Sequence, residues 1–224
     1  ERIAELAREY PSRVRAIEVQ PFGPSASRDR GIDASRGEIV AFIDSDCEAD
    51  PGWLSAGVAA LEADPSTGFV QGRTIPPPGA EIRTRSRFVL VDGPDPAHHA
   101  CNLFYRREAL AAVGGFSKSY YYDIERARNS RWTRLLPASF RIRFVLHCSA
   151  EDTDLGWRVI DAGWPKRYCP EALVYHEVRL LSPFWWVVDT ALYCSGIPKL
   201  AKRHPGLRQH LFARHFLAPA DAWL

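Results

Sequence analysis

Ile39-Val40-Ala41-Phe42-Ile43-Asp44-Ser45-Asp46 decides how this chain is read. Five apolar residues, four of them strand formers, run straight into two carboxylates separated by one serine. An apolar run of that length, bounded by turn chemistry, predicts a strand buried on both faces of a parallel sheet. Asp44-Ser45-Asp46 then sits where the strand leaves the sheet, and open α/β sheets gather their ligands at the carboxyl ends of strands. Two hard oxygen ligands suit Mg²⁺ or Mn²⁺, and a cation of that kind holds phosphates. Taken alone, Asp-x-Asp describes an acidic surface turn equally well.

The flanks extend the pattern. Upstream, Ile3, Leu6, Ala7 and Tyr10 fall at helical spacing, Val14 to Val19 alternates like a short strand, and Arg28 to Arg36 reads as a helix closed by Gly37. Downstream, a helix is expected over Trp53 to Ala63 and a strand over Gly68 to Thr74, before Pro76-Pro77-Pro78-Gly79 breaks the chain. Glu81 to Val91 is read as a helix, Cys101 to Tyr105 as a strand, and Arg107 to Val113 as a helix closed by Gly114-Gly115. Glu151 to Ala162 is a helix, followed by short strands at Lys166 to Cys169 and Ala172 to Tyr175, with His176 next in the chain. Alternating strands and helices predict an α/β fold.

Composition narrows the class. With 224 residues, 46% apolar and 25% charged, the chain can bury a sizeable core. A net charge of +2 produces no global field that would draw nucleic acid, so no nucleic-acid partner is expected. The charge is uneven: Ser117 to Ala150 carries seven Lys or Arg against two acids, and Lys199 to Arg214 carries five against none. The five cysteines are scattered without metal-type or C-x-x-C spacing, which predicts reduced thiols and a cytoplasmic setting. No apolar run is long enough to span a bilayer. The chain opens within a helical pattern and is read as part of a longer protein.

Three groups of chemistry-bearing residues fall at element ends: Asp44 and Asp46, Glu151-Asp152, and His176. Each has an ordinary structural role open to it. The acid pair complements a helix dipole, and the histidine could be a hydrogen-bonded core residue. Their order in the chain adds to them. Gly31 to Asp46, containing Ala34-Ser35-Arg36-Gly37-Glu38 before the Asp-Ser-Asp strand, resembles the central segment of family 2 glycosyltransferases. Asn102 to Arg107 followed by Val113-Gly114-Gly115-Phe116 resembles that family's acceptor-side segment, and Glu151-Asp152-Thr153-Asp154-Leu155-Gly156-Trp157-Arg158 resembles its Glu-Asp helix. Ala172-Leu173-Val174-Tyr175-His176 resembles the strand ending in its metal-site histidine.

The resemblance implies a GT-A fold, a Rossmann-like mixed sheet flanked by helices and lacking the family's first strands. Residues 1–180 would form a partial catalytic domain, with 117–150 an unusually long loop. Residues 181–224 would form a helical segment, either at a membrane interface or packed on the catalytic domain. The donor would be a nucleoside-diphosphate sugar and the cofactor Mn²⁺ or Mg²⁺. The acceptor would be a hydroxyl on a lipid-linked, polysaccharide or small molecule. By this likeness Asp46 binds the metal, Asp44 contacts the donor or shares the metal, and His176 is a further ligand. Asp152 is the general base with Glu151 beside it. Arg28 lies near the nucleotide, although Asp29 stands where the family usually has Asn. Asn102, Trp157 and Arg158 shape the acceptor side. The chemistry coheres: a cation neutralises the departing diphosphate, and a carboxylate takes the acceptor's proton in one inverting displacement.

Trp185, Trp186 and the basic residues after Lys199 fit the cytoplasmic face of a membrane. Two rival readings stand beside this one. A non-catalytic nucleotide-sugar or partner-binding module would keep the fold without the reaction. A HAD-like phosphohydrolase also ends a strand in Asp-x-Asp, but it places Thr or Val where this chain has Glu48.

Overall fold

The computed structural model describes residues 2–19, 23–120 and 150–211. Its centre is a five-stranded mixed sheet in the order β1-β5-β3-β6-β2. The strands are β1 (Ile39–Ile43), β2 (Cys47–Ala49), β3 (Phe69–Ile75), β5 (Asn102–Arg106) and β6 (Lys166–His176). Only β3 and β6 run parallel; β1 with β5, β3 with β5, and β2 with β6 are antiparallel. A two-stranded ribbon, β4 (Ser86–Arg87) with β7 (Arg179–Leu180), lies apart from the sheet.

Helices cover both faces because the strands alternate. On one face Val40, Phe69, Leu103 and Tyr105 pack with Leu110 of α4 (Arg107–Val113) and Leu155 and Val159 of α5 (Glu151–Asp161). On the other, Val70, Phe104 and Ala172 pack with Leu61 of α3 (Trp53–Glu62). Ahead of the sheet lie α1 (Arg2–Glu9) and α2 (Pro24–Ala34). After it come α6 (Pro183–Ser195), α7 (Ile197–Arg203) and a 3₁₀ turn (Pro205–His210). These last elements bury Ile197, Leu200 and Leu207 against Trp157 of α5. No helix among the described residues is long and apolar enough to cross a membrane.

Five expectations are corrected. The Ile39 strand is not in a parallel sheet: among the described residues β1 pairs with β5 alone, antiparallel. Its unbroken apolar run has another cause. Val40 and Phe42 serve one helix-covered face, and Ile39 and Ala41 the other. Val14 to Val19 forms no strand, because its alternation meets no ladder partner among the described residues. Glu81 to Val91 is not a helix. Arg83 N–H donates to Ser86 Oγ at 2.9 Å, Ser86-Arg87 pairs with β7, and Val91 bridges Thr74. The two strands expected between Lys166 and Tyr175 are one strand with a bulge, and α2 begins at Pro24, whose fixed φ suits a first helical turn.

The bulge explains Gly72. Register with β6 shifts between Gly72 and Arg73, where Cys169 gives way to Leu173 as partner. A Cβ on Gly72 would lie 2.3 Å from the Ala172 carbonyl oxygen and 2.4 Å from Asn102 Oδ1. The space it leaves is taken by the Asn102 amide, which donates to the Arg73 and Ala172 carbonyls at 2.8 and 2.9 Å.

Candidate active site

The site lies where β1 and β6 end and where β2 and α5 begin. Asp44 follows β1 directly. Arg28, on α2, donates to Asp44 Oδ1 at 2.8 Å and reaches Glu151 Oε1 at 3.2 Å. One guanidinium thus ties the strand-end carboxylate to the first residue of α5, across more than a hundred residues of sequence. Burial lowers the affinity of Arg28 for its proton, but Asp44, Asp152 and Glu151 together outweigh it and hold the pKa above its ordinary value.

Asp152 and Asp44 both line a cavity of about 150 Å³, walled also by His99, Tyr193, Ile197 and Leu200. Its carboxylate is fixed by two backbone donors, Ala100 N–H at 3.1 Å and Thr153 N–H at 2.8 Å. The cavity is smaller than the several hundred Å³ of a typical ligand site.

Glu151 is 8% exposed. Burial first, and the neighbouring Asp152 charge second, push its pKa up to about 7, despite the partial offset from Arg28. Its folded pKa therefore lies above its unfolded value of 4.5, so the native state keeps a proton that the unfolded state has released. Stability is expected to fall as pH rises from 4.5 towards 7, by roughly 3 kcal/mol at most from this group, and then to level off. Denaturant titrations at pH 5 and pH 8 check this. Glu151→Gln should gain stability over the parent at pH 8 and little at pH 5; equal differences at both pH values would show that Glu151 is not the group responsible.

The second half of the site is built by the β2·β6 ladder. Cys47 and His176 are direct cross-strand partners, so their side chains share a face. Asp46 precedes β2, and its carbonyl accepts from Glu177 N–H at 2.9 Å, which extends the pairing by one step. Ligand atoms of Asp46, Cys47 and His176 all lie within 4.8 Å of one another. His176 Nδ1 lies 2.9 Å from the Glu177 carbonyl; donating there leaves Nε2 with its lone pair free, the usual arrangement of a metal-binding imidazole. These residues fit a divalent cation. Asp44 stands outside this group, held by Arg28.

The sequence reading missed two members. Cys47 adjoins the Asp-Ser-Asp motif, but a single cysteine without spacing partners carries no signal. Arg179, on β7, donates to Asp46 Oδ2 at 2.6 Å. It follows His176 by three residues, and its placement depends on the β4·β7 ribbon, which sequence periodicity did not reveal. Cys101, buried behind the site, contacts Cys47; that hydrogen bond and burial hold its thiol protonated.

Other expected site residues are placed elsewhere. Asn102 is 1% exposed; besides its two bonds in the bulge it accepts from Trp53 Nε1 at 2.8 Å, so its amide is used within the sheet. Trp157 donates to the Pro96 carbonyl and packs under α7. Arg158 bonds Asp154 and the Val113 and Gly115 carbonyls, closing the C-terminus of α4 against α5. Asp29, which takes the place of Asn, accepts from Phe116 N–H at 2.9 Å and so ties α2 to the turn after α4. Of the arginine- and aromatic-rich stretch 117–150, residues 121–149 lie outside the described residues, as do residues 212–224 of the basic C-terminal segment.

Comparison with known proteins gives a consistent picture. The family model for glycosyl transferase family 2 matches residues 1–117. The chain is 31% identical over 194 residues to the pre-mycofactocin glycosyltransferase of Mycobacterium tuberculosis, covering 82% of this chain and 36% of that protein. It is 27% identical over 124 residues to glycosyltransferase AglE of Haloferax volcanii, covering 50% of this chain and 40% of that one. The chain thus spans well under half the length of the curated relatives it matches. Among solved structures, a mannosyltransferase of Pyrobaculum calidifontis, determined in complex with GDP-Man and Mn²⁺, superposes with a TM-score of 0.62 at 16% identity over 99% of this chain and 57% of that one. GalNAc-T7, determined with UDP, GalNAc and Mn²⁺, superposes with a TM-score of 0.55 at 14% identity over 90% of this chain and 38% of that one. The shared architecture is the GT-A fold.

Proposed function

Since the chain belongs to glycosyl transferase family 2, we propose that it moves a sugar from a nucleoside-diphosphate sugar to an acceptor hydroxyl, with inversion at the anomeric carbon. The observation that carries this reading is that Asp152 and Asp44 line one small cavity, while Asp46 and His176, at the neighbouring strand ends, bring their ligand atoms together. Asp46 and His176 would hold a divalent cation, whose charge would offset that of a departing diphosphate. Mn²⁺ in both solved neighbours supports the choice of cation. Asp152, aimed by two backbone donors, takes the proton of the acceptor hydroxyl. Arg28 positions Asp44 on the donor side and Glu151 on the acceptor side. Arg179, paired with Asp46, is a second cation within reach of the diphosphate's position.

The acceptor side faces α6 and α7, through Tyr193, Ile197 and Leu200. On α6, Phe184 and Val187 are 54% and 53% exposed, one turn apart on the same face. An exposed apolar face on the helix that walls the acceptor cavity supports a lipid-linked acceptor at a membrane surface over a free small molecule.

Nucleotide recognition gives the direct test. In the presence of Mn²⁺, one of UDP, GDP or TDP should raise the melting temperature by several degrees, and EDTA should abolish the shift. No shift with any nucleotide in the full-length protein would sink the reading and favour a module without donor binding.

A further inference from the structure

We propose that the Cys47 Sγ is a ligand of the site's cation, making a mixed carboxylate, imidazole and thiolate centre that prefers thiophilic first-row cations to Mg²⁺. The proposal rests on the reading of Asp46 and His176 as metal ligands.

Three independent features place the sulfur there. The first is register. Cys47 and His176 are opposed across an antiparallel ladder, so the pairing that holds the histidine on the site also holds the thiol on the same face. A one-residue slip of β2 would turn Cys47 off the face that His176 occupies. The second is distance. Cys47 Sγ, a carboxylate oxygen of Asp46 and a ring nitrogen of His176 lie mutually within 4.8 Å, a span that one cation bridges after small rotamer changes. The third is what surrounds the sulfur. The Cys101 thiol, 1% exposed, adjoins Cys47, and Arg179 donates to Asp46 Oδ2 at 2.6 Å. A metal-bound sulfur keeps negative charge, and a neighbouring donor and cation stabilise it.

The consequence is selectivity. Mg²⁺ demands hard oxygen ligands in a near-octahedral shell. Replacing one oxygen by sulfur and another by nitrogen penalises it, whereas Mn²⁺ tolerates the set and Co²⁺ and Zn²⁺ favour it. The Asp-x-Asp motif read alone, as two oxygens, leaves Mg²⁺ and Mn²⁺ equivalent. Cys47 in place of Asp44 as the partner of Asp46 separates them. No proton or electron balance beyond loss of the thiol proton on binding is required.

The test is a titration of the whole chain with Co²⁺, in the presence of a phosphine reductant, followed by optical absorption. A near-ultraviolet sulfur-to-cobalt charge-transfer band is expected, and Cys47→Ser should abolish it. Cys47→Ser should also weaken Co²⁺ binding by about tenfold or more, the minimum expected when a ligand is lost, given the effect of outer-shell partners. Mg²⁺ binding by the same variant should change by less than about twofold, since sulfur contributes little to holding a hard ion. Co²⁺ binding without the band, or a band that survives Cys47→Ser and therefore comes from another cysteine, would overturn the proposal while leaving Asp46 and His176 as ligands. Absence of Co²⁺ and Mn²⁺ binding altogether would overturn both. Circular dichroism of Cys47→Ser matching the parent establishes that a lost band is not a lost fold.

Discussion

Asp152→Asn is expected to lower sugar transfer by roughly 10²- to 10⁴-fold while leaving nucleotide affinity within about twofold. The substitution is nearly isosteric. The Asn carbonyl oxygen can still accept from Ala100 N–H, the 3.1 Å bond that aims the side chain into the cavity. The second oxygen, which accepts from Thr153 N–H, becomes an amide group that donates instead. What is lost is the proton acceptor in the cavity, with little change of shape. A further consequence distinguishes loss of a base from loss of structure. The Asp152 charge is the second cause that raises the Glu151 pKa, so removing it should bring Glu151 back towards its ordinary range. The fall in stability between pH 4.5 and 7 should therefore shrink in Asp152→Asn. Transfer within tenfold of the parent would remove Asp152 from the role of base. Lost nucleotide binding would instead move it to the donor side.

The sequence made much of this arrangement readable, for definable reasons. Apolar runs and glycine stops located α3, β3, α4 and α5 within a residue or two, because the helices bury one face against the sheet, β3 is buried on both faces, and each ends on Gly or turn residues. Ile39 to Ile43 announced burial on two faces correctly. It could not announce strand direction, which depends on where β5 is delivered from another part of the chain. The same limit hid the site's second half. Asp46 and His176 were legible as single residues at strand ends. That Cys47 joins them follows from the β2·β6 register, and that Arg179 reaches Asp46 follows from the ribbon β4·β7. Arg28 was assigned a nucleotide role, and its bridge between Asp44 and Glu151 is a contact that no local pattern encodes. Conversely, Asn102 carries the polarity of a ligand-binding residue, yet its amide fills a bulge that only the missing side chain of Gly72 makes possible.

The largest stability effect is expected not at the cavity but one helical turn beyond it, at Asp154. This carboxylate is fully buried and anchors the C-terminal helices to α5. Oδ1 accepts from Arg203 at 2.7 Å and from His204 Nε2 at 3.0 Å, and Oδ2 accepts from Arg158 at 3.0 Å. Burial alone would raise its pKa, but His204, Arg203 and Arg158 bring it below the ordinary carboxylate range. Asp154→Ala leaves those buried donors facing a void and should cost about 3–5 kcal/mol, read as a shift in denaturant midpoint. His204 sets the pH dependence. Burial lowers its pKa, yet hydrogen bonds to Asp154 and, at 2.7 Å, to Asp161 outweigh burial and raise it above 6.5. Its contribution is therefore complete below pH 6.5 and lost as pH rises through the raised value. His204→Ala should accordingly destabilise more at pH 6 than at pH 9, and an equal loss at both would assign the effect to packing rather than charge. The effect should reach the cavity as well. Ile197 and Leu200 of α7 line it, and α7 is held in place by Arg203 and His204 through Asp154. A folded Asp154→Asn variant should bind nucleotide with little change but bind acceptor more weakly, so that the acceptor KM rises ahead of any fall in kcat.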